Sequence, residues 1–120
     1  MNKDLLNQYI AELRCARGFL AFLLYDLYGP IIVADLETLK NAEDEIILPR
    51  LSEEETHNFI VTELTEAAKV LPYSYDKSSS DYGRFTKGLC HMVLLKFYMQ
   101  TKQWDKAITE ARELQKPEYK

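Results

Sequence analysis

The chain has 120 residues, 47% of them hydrophobic, which is enough for one modest core and too little for two. We therefore expect a single domain over residues 1–120. The net charge of −4 argues against nucleic acid or an anionic membrane surface as a direct partner, because both require clustered Lys and Arg. The longest apolar run, residues 18–25, is shorter than the roughly 20 residues that span a bilayer.

A long first helix is predicted over residues 4–28, and Gly29-Pro30 is expected to end it. Apolar residues recur at helical steps and predict one continuous buried stripe: Leu6, Ile10, Leu13, Leu20, Leu24 and Leu27. Phe19 and Phe22 add a second apolar face, so residues 12–30 are expected to be central and covered on both sides. Gly18 suggests that a neighbouring helix or ring packs against bare backbone.

One arginine of this helix and the two cysteines of the chain have surroundings that need to be explained. Arg17 either pairs with a carboxylate or helix-end carbonyls inside the fold or faces a ligand, and the first interpretation is favoured, because a charge on an apolar helix normally survives burial only when paired. Cys15 and Cys90 lie in apolar helical patterns, where free cysteines behave as small buried hydrophobes. Two cysteines do not make a disulfide framework.

The next segment alternates short apolar and acidic stretches. Residues 31–33 are predicted to form an extended, strand-like segment. Asp35 is expected to cap a short helical turn that ends at about Ala42. The acidic residues 43–45 lack the ligand spacing of a calcium loop and are expected at the surface.

A second long helix is predicted from Glu53 to about Leu71, because Ser52 and Glu55 form a capping box and Pro72 follows. Glu63 and Glu66 are three residues apart and are expected to be solvated charges on its exposed face, not an acid/base pair. The loop over residues 73–82 then carries Tyr73, Tyr75 and Tyr82. These rings either stack on a sugar or protein ligand or fold back over the core, so they are the candidate ligand residues.

Two more helices complete the prediction. The third begins near Asp81 or Thr86 and ends near Gln100, and the fourth covers about residues 104–115. A short connection favours antiparallel neighbours and a hairpin like a tetratricopeptide repeat. The fold class is therefore all-α, with about four main helices in antiparallel hairpins. His57 and His91 have no second ligand at metal spacing, so no metal or cofactor is expected.

Several short motifs follow one another in a recognisable order. The first helix contains AELR at 11–14, RGF at 17–19 and YDLYGP at 25–30; later come PRLS at 49–52, EL at 63–64, GRFTK at 83–87 and QWDKA at 103–107. This order resembles the SusD/RagB family of outer-membrane nutrient-binding lipoproteins. The sequence departs from the family pattern in the adjacency of Gly29 and Pro30, in Gly18 and Gly88 where alanine is usual, and in its short length.

The resemblance implies a non-catalytic binding protein, corresponding to the first helical part of such a lipoprotein. It would lie at the outer-membrane surface, on a TonB-dependent, SusC-like transporter, and help to capture oligosaccharides or peptides. The alternative is a stand-alone helical-repeat adaptor that binds a peptide between its hairpins. An enzyme is not expected, since no nucleophile, metal or phosphate-loop motif is present.

Overall fold

The computed structural model describes residues 2–41, 43 and 47–119, and every regular element within them is helical. The elements are α1 (Lys3–Tyr28), α2 (Leu36–Lys40), α3 (Glu53–Val70), α4 (Lys87–Gln100) and α5 (Trp104–Leu114), followed by a 3-10 turn, Pro117–Tyr119. The predicted all-α class with four main helices is confirmed. Ala42 and two of the three acidic residues at 43–45 lie outside the described residues. No described helix combines the length and apolar character that a membrane span requires.

The helices pack in the order α1, α3, α4, α5, with each antiparallel to the next. The N-terminal half of α1 lies beside the C-terminal half of α3, where Arg14 contacts Glu63. Helix α4 is antiparallel to α3, because His57 in the first turns of α3 lies beside Phe97 near the end of α4. At the other side of α4, His91 contacts Glu110 of α5. These contacts confirm the predicted hairpin arrangement.

Local signals in the sequence place the helix ends. The Ser52 hydroxyl accepts a hydrogen bond from the Glu55 amide at 3.0 Å, and the Asp35 carboxylate accepts one from the Thr38 amide at 2.7 Å. Thr86, and not Asp81, caps α4. Gly29 ends α1 with a positive φ of 78°, a conformation that favours glycine.

The buried face of α1 differs from the predicted one. The predicted stripe is wrong: its six members are between 43% and 71% exposed, and they are Leu6, Ile10, Leu13, Leu20, Leu24 and Leu27. The buried residues are instead Ala11, Cys15, Gly18, Ala21 and Phe22. Small side chains let α1 approach α3 and α4 closely, so the large leucines point away from these neighbours. The helix is central, but it is not covered on both sides within the described residues.

Gly18 lies at the closest approach of α1 to α3. A Cβ atom at this position would be 3.0 Å from Leu64 Cγ and 3.1 Å from Glu63 Cβ, closer than side chains normally pack. The predicted contact between the bare backbone of Gly18 and a neighbouring helix is therefore confirmed.

The expectation that Glu63 is a solvated charge is wrong. Glu63 is 4% exposed, and its carboxylate pairs with the Arg14 guanidinium at 3.1 Å and with that of Arg17 at 2.8 Å. Its helical neighbour Glu66 does face solvent, where it pairs with Lys69. The structural interpretation of Arg17 is confirmed, because two cations compensate one buried anion at the interface between α1 and α3.

Replacing both Arg14 and Arg17 by Met would leave the Glu63 carboxylate buried without a cation. We expect the free energy of unfolding to fall by about 3 kcal/mol or more in this double variant, and by only about 1 kcal/mol in either single variant, because one cation then remains. Urea unfolding followed by circular dichroism measures the three values.

The matched control is Lys69→Met on α3, which removes an exposed ion pair and should cost under about 0.5 kcal/mol. A double variant that loses no more than the two single variants combined would contradict the role of Glu63 as a shared buried partner.

Candidate functional site

The loop between α3 and α4 carries the three candidate tyrosines and is fixed at both ends. The Lys87 amide donates to the Pro72 carbonyl at 2.8 Å, which closes the base of the loop. Near its end, Arg84 Nε and Nη2 donate to the two carboxylate oxygens of Glu12, each at 2.8 Å. This two-bonded pair attaches the loop to α1, with the guanidinium over the Tyr9 ring.

The three tyrosines lie in different surroundings. Tyr73 packs edge-on against the Tyr119 ring, and the Lys87 ammonium lies 4.4 Å from the centre of the Tyr73 ring. The Tyr75 hydroxyl accepts a hydrogen bond from Gln8 of α1 at 3.1 Å. Tyr82 is 58% exposed. Tyr73 thus helps to hold the C-terminal turn against the start of α4, while the other two leave ring surface available.

Tyr75 lines a polar groove of about 680 Å³ between the start of α1 and the loop. Its polar residues are Asp4, Asn7, Gln8, Arg14, Glu66 and Asp81, and its apolar residues are Ile10, Ala11, Val70 and Pro72. Carboxylates and amides form hydrogen bonds with hydroxyl groups, and a tyrosine ring can stack on a flat apolar surface. The sequence prediction did not include the α1 contribution, although Asp4, Asn7 and Gln8 recur at helical steps and so mark one polar face.

A second, apolar groove of about 700 Å³ lies further along α1, next to the first, and the two grooves share Ile10 and Arg14. Its walls include Leu13, Leu20 and Leu24 from α1, Ile32 from the following segment and Leu39 from α2. The exposed leucines that the sequence predicted to be buried therefore form one wall of a concave apolar surface. Such a surface is a protein contact site in many proteins.

The two histidines have carboxylate partners within the fold. His57 Nε2 lies 2.7 Å from the Tyr25 hydroxyl and 3.3 Å from Glu53, and that hydroxyl also contacts the Glu53 carboxylate. Burial, together with Glu53, raises the pKa of Tyr25 to about 12, so its phenol stays neutral at ordinary pH. His91 Nδ1 lies 2.5 Å from Glu110. In the described residues, no three His, Cys, Asp or Glu side chains converge into a metal site.

The fold was compared with those of known proteins. A SusD-like protein from Bacteroides fragilis matches with a TM-score of 0.79 and 25% identity, over 97% of this chain and 22% of its own length. A SusD homologue from Bacteroides thetaiotaomicron matches with a TM-score of 0.73 and 26% identity, over 94% and 23% of the two chains. The chain therefore has a SusD-like fold.

A SusD superfamily protein from Bacteroides vulgatus shares this fold, with a TM-score of 0.79 and 22% identity. The match covers 98% of this chain and 24% of the length of that protein. The resemblance predicted from the motifs is thus confirmed at the level of structure. The chain spans less than a quarter of each of these solved proteins. The sequence matches no protein-family model and no curated protein.

The pair between Arg84 and Glu12 makes a pH-dependent contribution to stability. Hydrogen bonds from Arg84 lower the pKa of Glu12 below its ordinary value of 4.5. A carboxyl group whose pKa is lowered by folding stabilises the fold above its ordinary pKa, and that stability is lost as the pH falls through the folded-state pKa. We expect Arg84→Met to lower the melting temperature at pH 7 and to differ less from the parent below about pH 4.5.

Thermal unfolding at pH 7 and pH 3.5 measures this difference. Lys77→Met is the control, because Lys77 is an exposed lysine of the same loop and forms no ion pair among the described residues. A difference between parent and Arg84→Met that stays constant across this pH range would show that Glu12 does not titrate through the pair.

Proposed function

We propose that the chain acts as the helical part of a SusD-like nutrient-binding protein that captures glycans for a TonB-dependent, SusC-like transporter. The observation that carries the proposal is the match of 94% or more of the chain to solved SusD-like proteins, two of them at 25% and 26% identity. Such a protein would act at the outer-membrane surface and would bind its ligand without chemical change.

The polar groove beside Tyr75 is the proposed contact for an oligosaccharide. Sugar rings present apolar faces and many hydroxyls, which matches a ring surrounded by carboxylates and amides. We propose Tyr75 and Tyr82 as the rings that meet the sugar, since both retain open surface. Tyr73 belongs to the same proposed site, and its packing against Tyr119 gives it the second role of holding the loop in place.

The alternative function, a helical-repeat adaptor for a peptide, is favoured by the apolar groove. Its leucine wall suits the apolar face of a helical peptide, which would insert side chains at three- and four-residue steps. Arg14 and Arg17 lie at this groove, although Glu63 already pairs with both. The two functions use different grooves of α1, with Tyr75 lining only the first and Leu20 only the second, so variants can separate them.

A panel of neutral and acidic oligosaccharides, screened by microarray and followed by titration calorimetry, tests the proposal. We expect at least one glycan to bind, and Tyr75→Ala to weaken that binding about tenfold, because the stacking ring is lost. Tyr28→Ala is the matched control, since Tyr28 is exposed on α1 outside the groove and should leave the affinity unchanged.

Two results would contradict glycan capture by this groove. One is a folded chain that binds no member of the panel. The other is glycan binding that Tyr75→Ala and Tyr82→Ala leave unchanged. Selection of helical peptides whose binding is abolished by Leu20→Glu would support the adaptor function in its place. A gene locus without a TonB-dependent transporter gene would count against the proposed partner.

A further inference from the structure

Two buried thiols lie side by side where α1 meets α4. Cys15 and Cys90 are both 0% exposed, and their Sγ atoms are 3.4 Å apart although the residues are 75 positions apart in sequence. Both cysteines are free. The Cys90 thiol donates its proton toward Cys15 Sγ, so the two groups already form a polar contact inside an apolar core.

The two sulfurs are in direct contact, which is the position from which a disulfide can form. The S–S bond is roughly 2.05 Å long, so the sulfurs need to approach by about 1.4 Å. The two helices run parallel here, because Tyr25, ten residues after Cys15, lies beside Phe97, seven residues after Cys90. We propose that Cys15 and Cys90 form a redox-controlled disulfide that joins α1 to α4. This inference does not depend on the proposed nutrient-binding function.

The reaction is a thiol–disulfide exchange with a small disulfide such as oxidised glutathione. One cysteine thiolate attacks a sulfur of that oxidant, forms a mixed disulfide and releases one small thiolate. The second cysteine thiolate then attacks the cysteine sulfur of the mixed disulfide and releases the other small thiolate. Two protein thiols are thereby oxidised, the oxidant is reduced to two thiols, and these take up the two protons.

The two thiols differ in their readiness to begin this exchange. The hydrogen bond from Cys90 lowers the pKa of Cys15, while the same bond and burial raise the pKa of Cys90. Both are shielded from solvent, so the oxidant reaches them only while the contact between α1 and α4 is open, as during folding. We expect slow oxidation of the native protein and efficient oxidation during refolding.

The cross-link would stabilise the fold by restricting the unfolded chain. It closes a long stretch of chain that includes α2, α3 and the connection between α3 and α4, which we call the tyrosine loop. The entropy that a cross-link removes from the unfolded chain rises with the length of the closed stretch. We expect the oxidised protein to melt about 10 °C above the reduced protein.

Refolding in a buffer of oxidised and reduced glutathione, compared with refolding in excess reductant, tests the proposal. The oxidised sample should be a monomer with no titratable thiol in denaturant, a Cys15–Cys90 linked peptide in the digest, and the raised melting temperature. Cys90→Ala and Cys90→Ser should each show no such rise with oxidant. Using both variants guards against a folding defect in either.

Three outcomes would overturn the proposal. The first is a parent that retains two titratable thiols after oxidative refolding. The second is a parent that forms only glutathione adducts or intermolecular dimers, and the third is one that forms the internal disulfide without any gain in melting temperature. Each shows that the observed proximity of the sulfurs does not serve as a cross-link between α1 and α4.

Discussion

The close packing of α1 on α3 around Gly18 and Glu63 is the constraint on which the other contacts depend. Gly18 has no side chain where α3 presses most closely, and the buried Glu63 carboxylate beside it is held by two arginines of α1. The arrangement combines a steric requirement for small residues with an electrostatic requirement for cations. Once α1 is seated in this way, Cys15 meets α4, and Glu12 is placed to hold the tyrosine loop through Arg84.

The motifs that indicated the SusD-like fold contain residues that hold the helices together. Arg14 and Arg17 belong to the first motifs, and their partner Glu63 belongs to a later one; Glu12 and Arg84 form a second such pair. Tyr25 contacts Glu53 and His57 at the other end of the interface. These residues determine how the helices meet. Of these residues, only Arg14 lines the polar groove in which a ligand is proposed to lie, which is why the sequence identifies a fold more directly than a ligand.

Much of the fold could be predicted because its signals are local. Capping by Ser52 and Asp35, and the end of α1 at Gly29, depend on residues within one turn of each other. The face of α1 that is buried could not be predicted in the same way. Apolar periodicity identifies large side chains, whereas the contact of α1 with α3 and α4 is made largely by small ones, so the leucine stripe does not mark the buried side of the helix.

The candidate site, like the fold, could be predicted from the sequence only in part. The tyrosine loop stands out by composition, but only the contact between Gln8 and Tyr75 shows that the polar face of α1 lies beside this loop. The burial of Glu63 was missed for a related reason. A glutamate on a helix is usually solvated, and only its pairing with two distant arginines makes an interior position favourable.

The melting temperature of Gly18→Leu tests the packing of α1 on α3 most directly, because helix propensity and packing predict opposite signs. Leucine favours the helix over glycine by under about 1 kcal/mol, whereas a side chain forced against Leu64 and Glu63 should cost about 2 kcal/mol or more. We predict a clear fall, while Asp26→Leu, which adds the same side chain at an exposed position of α1, causes none. A Gly18→Leu protein that melts at or above the parent temperature would contradict the account.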